Sequence, residues 1–209
     1  VARETSGMAA FRNFNVSRHL PSVSFVALAL VVITAFAAVL VYVGIYNIGA
    51  DAPHSKAVYW LIDGVRDRSI AVRARDIKPP ADLNSQGRIA TGAGLYAEMC
   101  SGCHLAPGME KTEISQGLYP QAPELSRGLA HSPAQQFWMI KHGVKLTAMP
   151  AWGRTHDDQL IWDMVAFVGK LPSLTPAQYK AIVASAPADH DEIMKEMPSM
   201  MKEQSAPVR

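Results

Sequence analysis

Cys100-Ser101-Gly102-Cys103-His104 contains the only two cysteines of the chain, and a histidine follows the second directly. This Cys-x-x-Cys-His spacing is the attachment signature of c-type haem. Two thiols on one turn of chain can add to the two vinyl groups of one porphyrin, and the adjacent imidazole can reach the iron from one side. The other face of the iron then needs its own partner, and a methionine there raises the potential. Three other readings use the same residues. A thioredoxin-type pair needs a βαβ setting, which no strand-rich pattern provides here. A structural zinc site needs four ligands, and His131, His142 and His156 have no spaced partners. An even cysteine count also allows a plain disulfide in an oxidising compartment.

A distal ligand must lie far enough downstream for the chain to wrap the porphyrin, on a loop shaped for close approach. Met149 is 45 residues past His104 and immediately precedes Pro150. Met99 adjoins the attachment motif, Met109 follows His104 by five residues, and Met139 and Met164 fall in predicted helices where packing suits them. Met149 is therefore the expected iron ligand, with packing against the ring as its plainer alternative. A histidine ligand would be His131 or His142. His142 closes a predicted helix, where an imidazole meets terminal carbonyls. Trp138, Trp152 and Trp162 are pocket walls or ordinary core, and the pocket reading is strongest for Trp152, beside the ligand loop. Arg154 is either a partner for a haem propionate or a solvated surface arginine.

These residues need helices to hold them. Arg88 to Met99 reads as a helix running into the haem motif, with Gly92 and Tyr96 on one face. A loop-rich stretch with Pro107, Gly108, Gly117, Pro120 and Pro123 follows. Ser132-Pro133-Ala134-Gln135 is a capping box that predicts a helix over 133–142, stopped by Gly143. Thr155-His156-Asp157-Asp158 caps another running to about 170. Thr175-Pro176-Ala177-Gln178 opens a short one that ends before Pro187.

Val23 to Ile48 carries no charge over 26 positions, about 39 Å as a helix against about 30 Å of hydrocarbon. A signal-peptide core is shorter, so an uncleaved transmembrane anchor is expected over 23–48. Arg3, Arg12 and Arg18 precede it and Asp51 follows, which puts residues 1–22 in the cytoplasm and the remainder outside. A second amphipathic helix is expected over about 54–75, with Val58, Leu61, Ile62, Val65 and Val72 as its apolar stripe. That stripe is expected on the membrane surface or a membrane partner, with packing on the haem-binding domain as the alternative. Lys78-Pro79-Pro80 makes an extended linker after it. The expected division is a tail at 1–22, the anchor at 23–48, amphipathic helix and linker at 49–87, the haem domain at 88–180 and a Met-rich polar tail at 181–209.

The pattern over 88–172 resembles a class I c-type cytochrome domain, and specifically the single-haem domains of membrane-anchored bacterial cytochromes and of cbb3-type oxidase subunits. Gly92, Tyr96 and Cys100-x-x-Cys103-His104 fit that family's first helix. Pro123-Glu124-Leu125 resembles its Pro-x-Leu element, Met149-Pro150-Ala151-Trp152-Gly153 its methionine loop, and Ile161-Trp162 with Val165-Ala166-Phe167 its last helix. The resemblance implies an all-α fold, one transmembrane helix followed by the class I domain. Its first and last helices cross near Gly92, Tyr96 and Phe167. It also implies one covalent haem c, held through Cys100 and Cys103 with His104 and Met149 as axial ligands. The Pro123 carbonyl is then expected to accept the His104 Nδ1–H and so tune the iron.

With both axial positions filled by protein, such a haem passes electrons and binds no substrate. The expected function is a tethered monohaem electron carrier between respiratory partners on the periplasmic face of a bacterial inner membrane, not an enzyme. The alternative is a fixed subunit of an integral oxidase or dehydrogenase complex. A peroxidase or gas sensor would need an open iron site. Net charge is +2, and residues 88–180 hold eight basic against seven acidic groups. That balance argues against nucleic acid as a partner and leaves redox proteins and the lipid bilayer. His190, Met194, Met197, Met200 and Met201 offer soft donors that suit Cu(I), or simply one face of a packing helix.

Overall fold

Ser22, Ser55, Ser85, Ser132, Asp157 and Thr175 each precede a helix, and each side-chain oxygen accepts a backbone N–H from the first turn. Such caps satisfy donors that have no carbonyl partner inside the helix. They set the helix starts in the computed structural model, which describes residues 21–187 and shows no strand among them. The Met-rich cluster at 190–201 and the N-terminal arginines lie outside the described residues. The helices are α1 (Val23–Val43), α2 (Lys56–Ala74), α3 (Gln86–Met99), α4 (Ser101–His104), α5 (Glu113–Gly117), α6 (Pro133–His142), α7 (Asp158–Lys170) and α8 (Pro176–Ala184). The chain divides into two compact units between Ile48 and Gly49.

The first unit holds α1, an apolar helix of 21 residues, long enough at about 31 Å to cross a bilayer. It stops five residues short of the uncharged run's end. Gly44 adopts a left-handed conformation (φ 68°) and its N–H turns back to the carbonyls of Leu40 and Val41.

The second unit is organised by the crossing of α3 and α7. Gly92 makes the crossing close: a Cβ there would overlap the Asp163 carbonyl and lie 2.9 Å from the Phe167 Cβ. One turn on, the rings of Tyr96 and Phe167 meet at 5.3 Å, both fully buried. Ile89, Ala93, Leu125, Ala166 and Leu171 complete this core. An ion pair seals its edge, with Arg88 Nη1 2.6 Å from Asp163 Oδ1 and both side chains mostly buried. On the other flank of α7, Phe137 of α6 stacks on Trp162 at 4.2 Å. From α8, Tyr179, Ile182 and Val183 cover the core.

Helix α2 lies on α6 and buries Ile70 and Ala74. The sequence stripe is therefore only partly the packed face. Ile62 and Val58 are half-buried, while Leu61, Val65 and Val72 face solvent together with Trp60. The Pro79-Pro80 stretch does not hold α2 away from the rest of the unit. Ile77 and Leu83, on either side of it, pack against the core.

Candidate functional site

Helix α3 ends at Met99, and Cys100 bends the chain into the single turn of α4, which carries Cys103 and His104. Both cysteines are free thiols and half-buried. Burial, and then the neighbouring Cys103, push the Cys100 thiol up to about 12. It is thus held protonated, a poor nucleophile for disulfide exchange. The chain then turns sharply. Leu105 is buried yet takes φ 60°, ψ 176°, a region that suits glycine. Its carbonyl accepts a short hydrogen bond from the buried Tyr96 hydroxyl. The turn behind His104 is therefore anchored to the α3–α7 crossing.

His104 Nδ1 lies 2.9 Å from the Pro123 carbonyl oxygen. A carbonyl only accepts, so Nδ1 carries the proton and Nε2 keeps its lone pair. Burial lowers the His104 pKa, only partly opposed by that hydrogen bond, which keeps the imidazole neutral, the form a metal requires.

The Met149 loop is pinned at several points. Gly143 ends α6 at φ 66°, where a Cβ would stand 2.7 Å from the Met149 carbonyl oxygen and 2.8 Å from Pro150. The Val144 N–H donates to the Met149 carbonyl at 3.2 Å. The Thr147 hydroxyl donates to the Val144 carbonyl at 2.7 Å and accepts the Met149 N–H at 3.1 Å. Met149 itself is half-buried.

The remaining candidates fall in different places. Trp162 is core, stacked on Phe137, and Met164 is core beside Leu95 and Leu160. Trp152 is half-buried and meets the buried His156 edge-on at 5.6 Å. Arg154 is exposed. His142 closes α6 against the ring of Trp138, 5.0 Å away. His131 leaves its Nδ1 buried and unpartnered, as does Gln136 its Oε1. Sequence reasoning missed Leu105 and Thr147. Thr147, a hydroxyl two residues before the expected ligand, is the one a closer reading could have found. The strain at Leu105 has no sequence signal.

This donor set fits haem c. Two unpaired thiols stand three residues apart beside an imidazole with a free Nε2. Among the described residues, no group of three or more His, Cys, Asp or Glu side chains converges to hold a metal ion. A fold of crossed helices with this site defines a class I cytochrome c domain. Residues 87–168 match the family described as cytochrome c oxidase, cbb3-type, subunit III, and that segment is a cytochrome c domain of the cbb3 type. No curated protein and no solved structure matches the chain. The cytochrome c family implies haem c and an electron-transfer role.

Proposed function

We propose that the chain is a membrane-tethered monohaem cytochrome c that relays single electrons between respiratory partners on the periplasmic face of a bacterial inner membrane. The observation that carries this reading is the His104 Nδ1 to Pro123 hydrogen bond beside two free thiols. It orients a neutral imidazole with Nε2 available to iron. Cys100 and Cys103 would hold a single haem through their thiols, His104 and Met149 would ligate its iron, and Trp152 and Arg154 would border it. Bound haem supplies one-electron iron chemistry. The pinned 143–149 loop would present the Met149 thioether opposite His104, so the chain's own residues would orient the cofactor and leave no place on it for substrate. Helix α1 is the anchor, and tethering raises the local concentration for a membrane partner.

A second reading, a fixed subunit of a larger oxidase, draws support from the description of the matching family. A reduced-minus-oxidised spectrum of native membranes, with pull-down through this chain, tests both. A low-spin c-type spectrum without a stoichiometric partner is expected for the carrier. Stoichiometric recovery of an integral oxidase or dehydrogenase would favour the subunit. A reduced protein that binds carbon monoxide at neutral pH would sink both, because it would have an open iron site.

A further inference from the structure

Helix α2 lies outside the matched cytochrome segment, yet it lines a groove beside both candidate ligand loops. The groove has a volume of about 640 Å³ and runs between Tyr59 of α2, Lys111 and the segment Leu118–Gln121. A second hollow shares Tyr59, Tyr119 and Pro120 with it and continues past Arg66 to Lys145 and Thr147. One wall therefore ends two residues before Pro123, whose carbonyl holds His104. Another contains Thr147, whose hydroxyl holds the Met149 amide. The start of α2 is fastened to the first wall: the His54 N–H donates to the Tyr119 hydroxyl at 2.8 Å, and the two rings meet edge-on at 5.2 Å.

The lining is basic and hydroxylic. Lys111, Lys145 and Arg66 face one carboxylate, Asp63, and the phenols of Tyr59 and Tyr119 also contribute. Arg66 is already paired, 2.5 Å from Asp63 and 2.9 Å from Asp67. No salt bridge holds Lys111 or Lys145 among the described residues, so two cations are left over at this groove. Leu146, between Lys145 and Thr147, stands 74% exposed at φ 61°, an apolar side chain with nothing to cover it.

We propose that this groove receives the carboxylate-bearing edge of the haem, with Lys145 and Lys111 facing the propionates, Leu146 covered by the ring and α2 closing the open side. The proposal rests on the haem reading above. It makes residues 56–66, which the cytochrome family segment does not include, part of the cofactor's wall. Lysines beside a propionate offset its negative charge. That charge favours ferric over ferrous iron, so the lysines raise the potential.

The test is potentiometric titration of the full-length haem-loaded protein in nanodiscs. The variants are Lys145→Gln, the double variant Lys111→Gln/Lys145→Gln, the charge-keeping Lys145→Arg, and Lys180→Gln on α8 as a remote control. Removing one charge beside a propionate should move the equilibrium with a one-electron reference couple roughly three- to tenfold toward the oxidised protein, where tenfold is ~59 mV. The double variant should move it further. Lys145→Arg should restore the wild-type value and Lys180→Gln should leave it unchanged. An unchanged potential in the double variant, with haem attached and the spectrum intact, overturns the proposal. So does an equal drop in Lys180→Gln, which would reveal only overall charge. A wild-type chain that carries no haem defeats the cytochrome reading instead, a result distinguishable from either.

Discussion

Tyr96 and Leu105 illustrate how single residues shape the site. A leucine at φ 60°, ψ 176° costs on the order of 1–3 kcal/mol. The structure sustains it by burying the side chain and giving its carbonyl the Tyr96 hydroxyl. Tyr96→Phe should therefore cost about 1–2 kcal/mol, because a buried carbonyl loses its donor. Urea unfolding of the haem-loaded protein measures this. A loss below a few tenths would show that the hydrogen bond does not hold the turn. Met149 makes a different kind of contribution. Its loop is fixed by Gly143, Val144 and Thr147 through backbone contacts that do not involve the thioether. Met149→Ala should consequently keep the fold and the attached haem while opening the sixth position. Loss of the far-red absorption of the ferric protein reports that opening, and an unchanged band would mean that another ligand is in use.

At the scale of elements, the α3–α7 crossing depends on one buried ion pair as well as on Gly92. Burial raises the Asp163 carboxyl above its ordinary value even though Arg88 pulls it down. The cost of desolvation thus outweighs the partner's help, as is common for buried pairs. A carboxyl raised in the folded state gives stability that is complete below the ordinary carboxylate range and is lost as pH climbs through the folded value. Arg88→Met leaves that carboxylate alone. The variant should lose roughly 3 kcal/mol near neutrality and regain much of it in acid, below the raised value of the carboxyl, where Asp163 takes up a proton. Unfolding titrations at both pH values test the sign, and a loss that is the same at both would refute it. The helices around this crossing were legible where their start signals are local: the Ser132-Gln135 and Thr175-Gln178 boxes form as written and open α6 and α8, and Asp157 caps α7. The candidate ligand loop was proposed from Met149-Pro150, and the structure shows that loop pinned at Gly143, Val144 and Thr147. Helix α2 was legible as a helix, but its packed face was not. Ile70 and Ala74 are buried because α6 happens to lie there, and no period in the sequence states which of two apolar faces a neighbour will take. The groove was illegible for the same reason, since Tyr59, Tyr119 and Lys145 meet only through tertiary structure.

At the scale of the whole molecule, α2 has two faces of different character. The inner one packs on α6 and lines the groove. The outer one carries Trp60 (76% exposed), Leu61, Val65 and Val72, interleaved with Arg68 and Arg75. Trp60 fell off the stripe read from sequence, yet it shares the exposed face with Leu61 and Val65. An aromatic and aliphatic surface edged by arginines suits the headgroup boundary of an anionic bilayer. The connection from α1 to α2 spans residues 44–55. We predict that the outer face of α2 rests on the membrane surface, setting the standoff of the haem while the inner face closes its edge. In bilayers containing anionic lipid brominated near the headgroup, Trp60 fluorescence should be quenched. Trp60→Phe should abolish that component, and replacing Arg68 and Arg75 with Gln should weaken it in a salt-sensitive way. Leu61→Glu with Val65→Glu should slow electron delivery to a membrane partner while leaving the haem spectrum unchanged. If the same two changes lower the thermal midpoint sharply, or if Trp60 is quenched no more by brominated than by ordinary lipid, the face belongs to a protein contact and the membrane assignment fails.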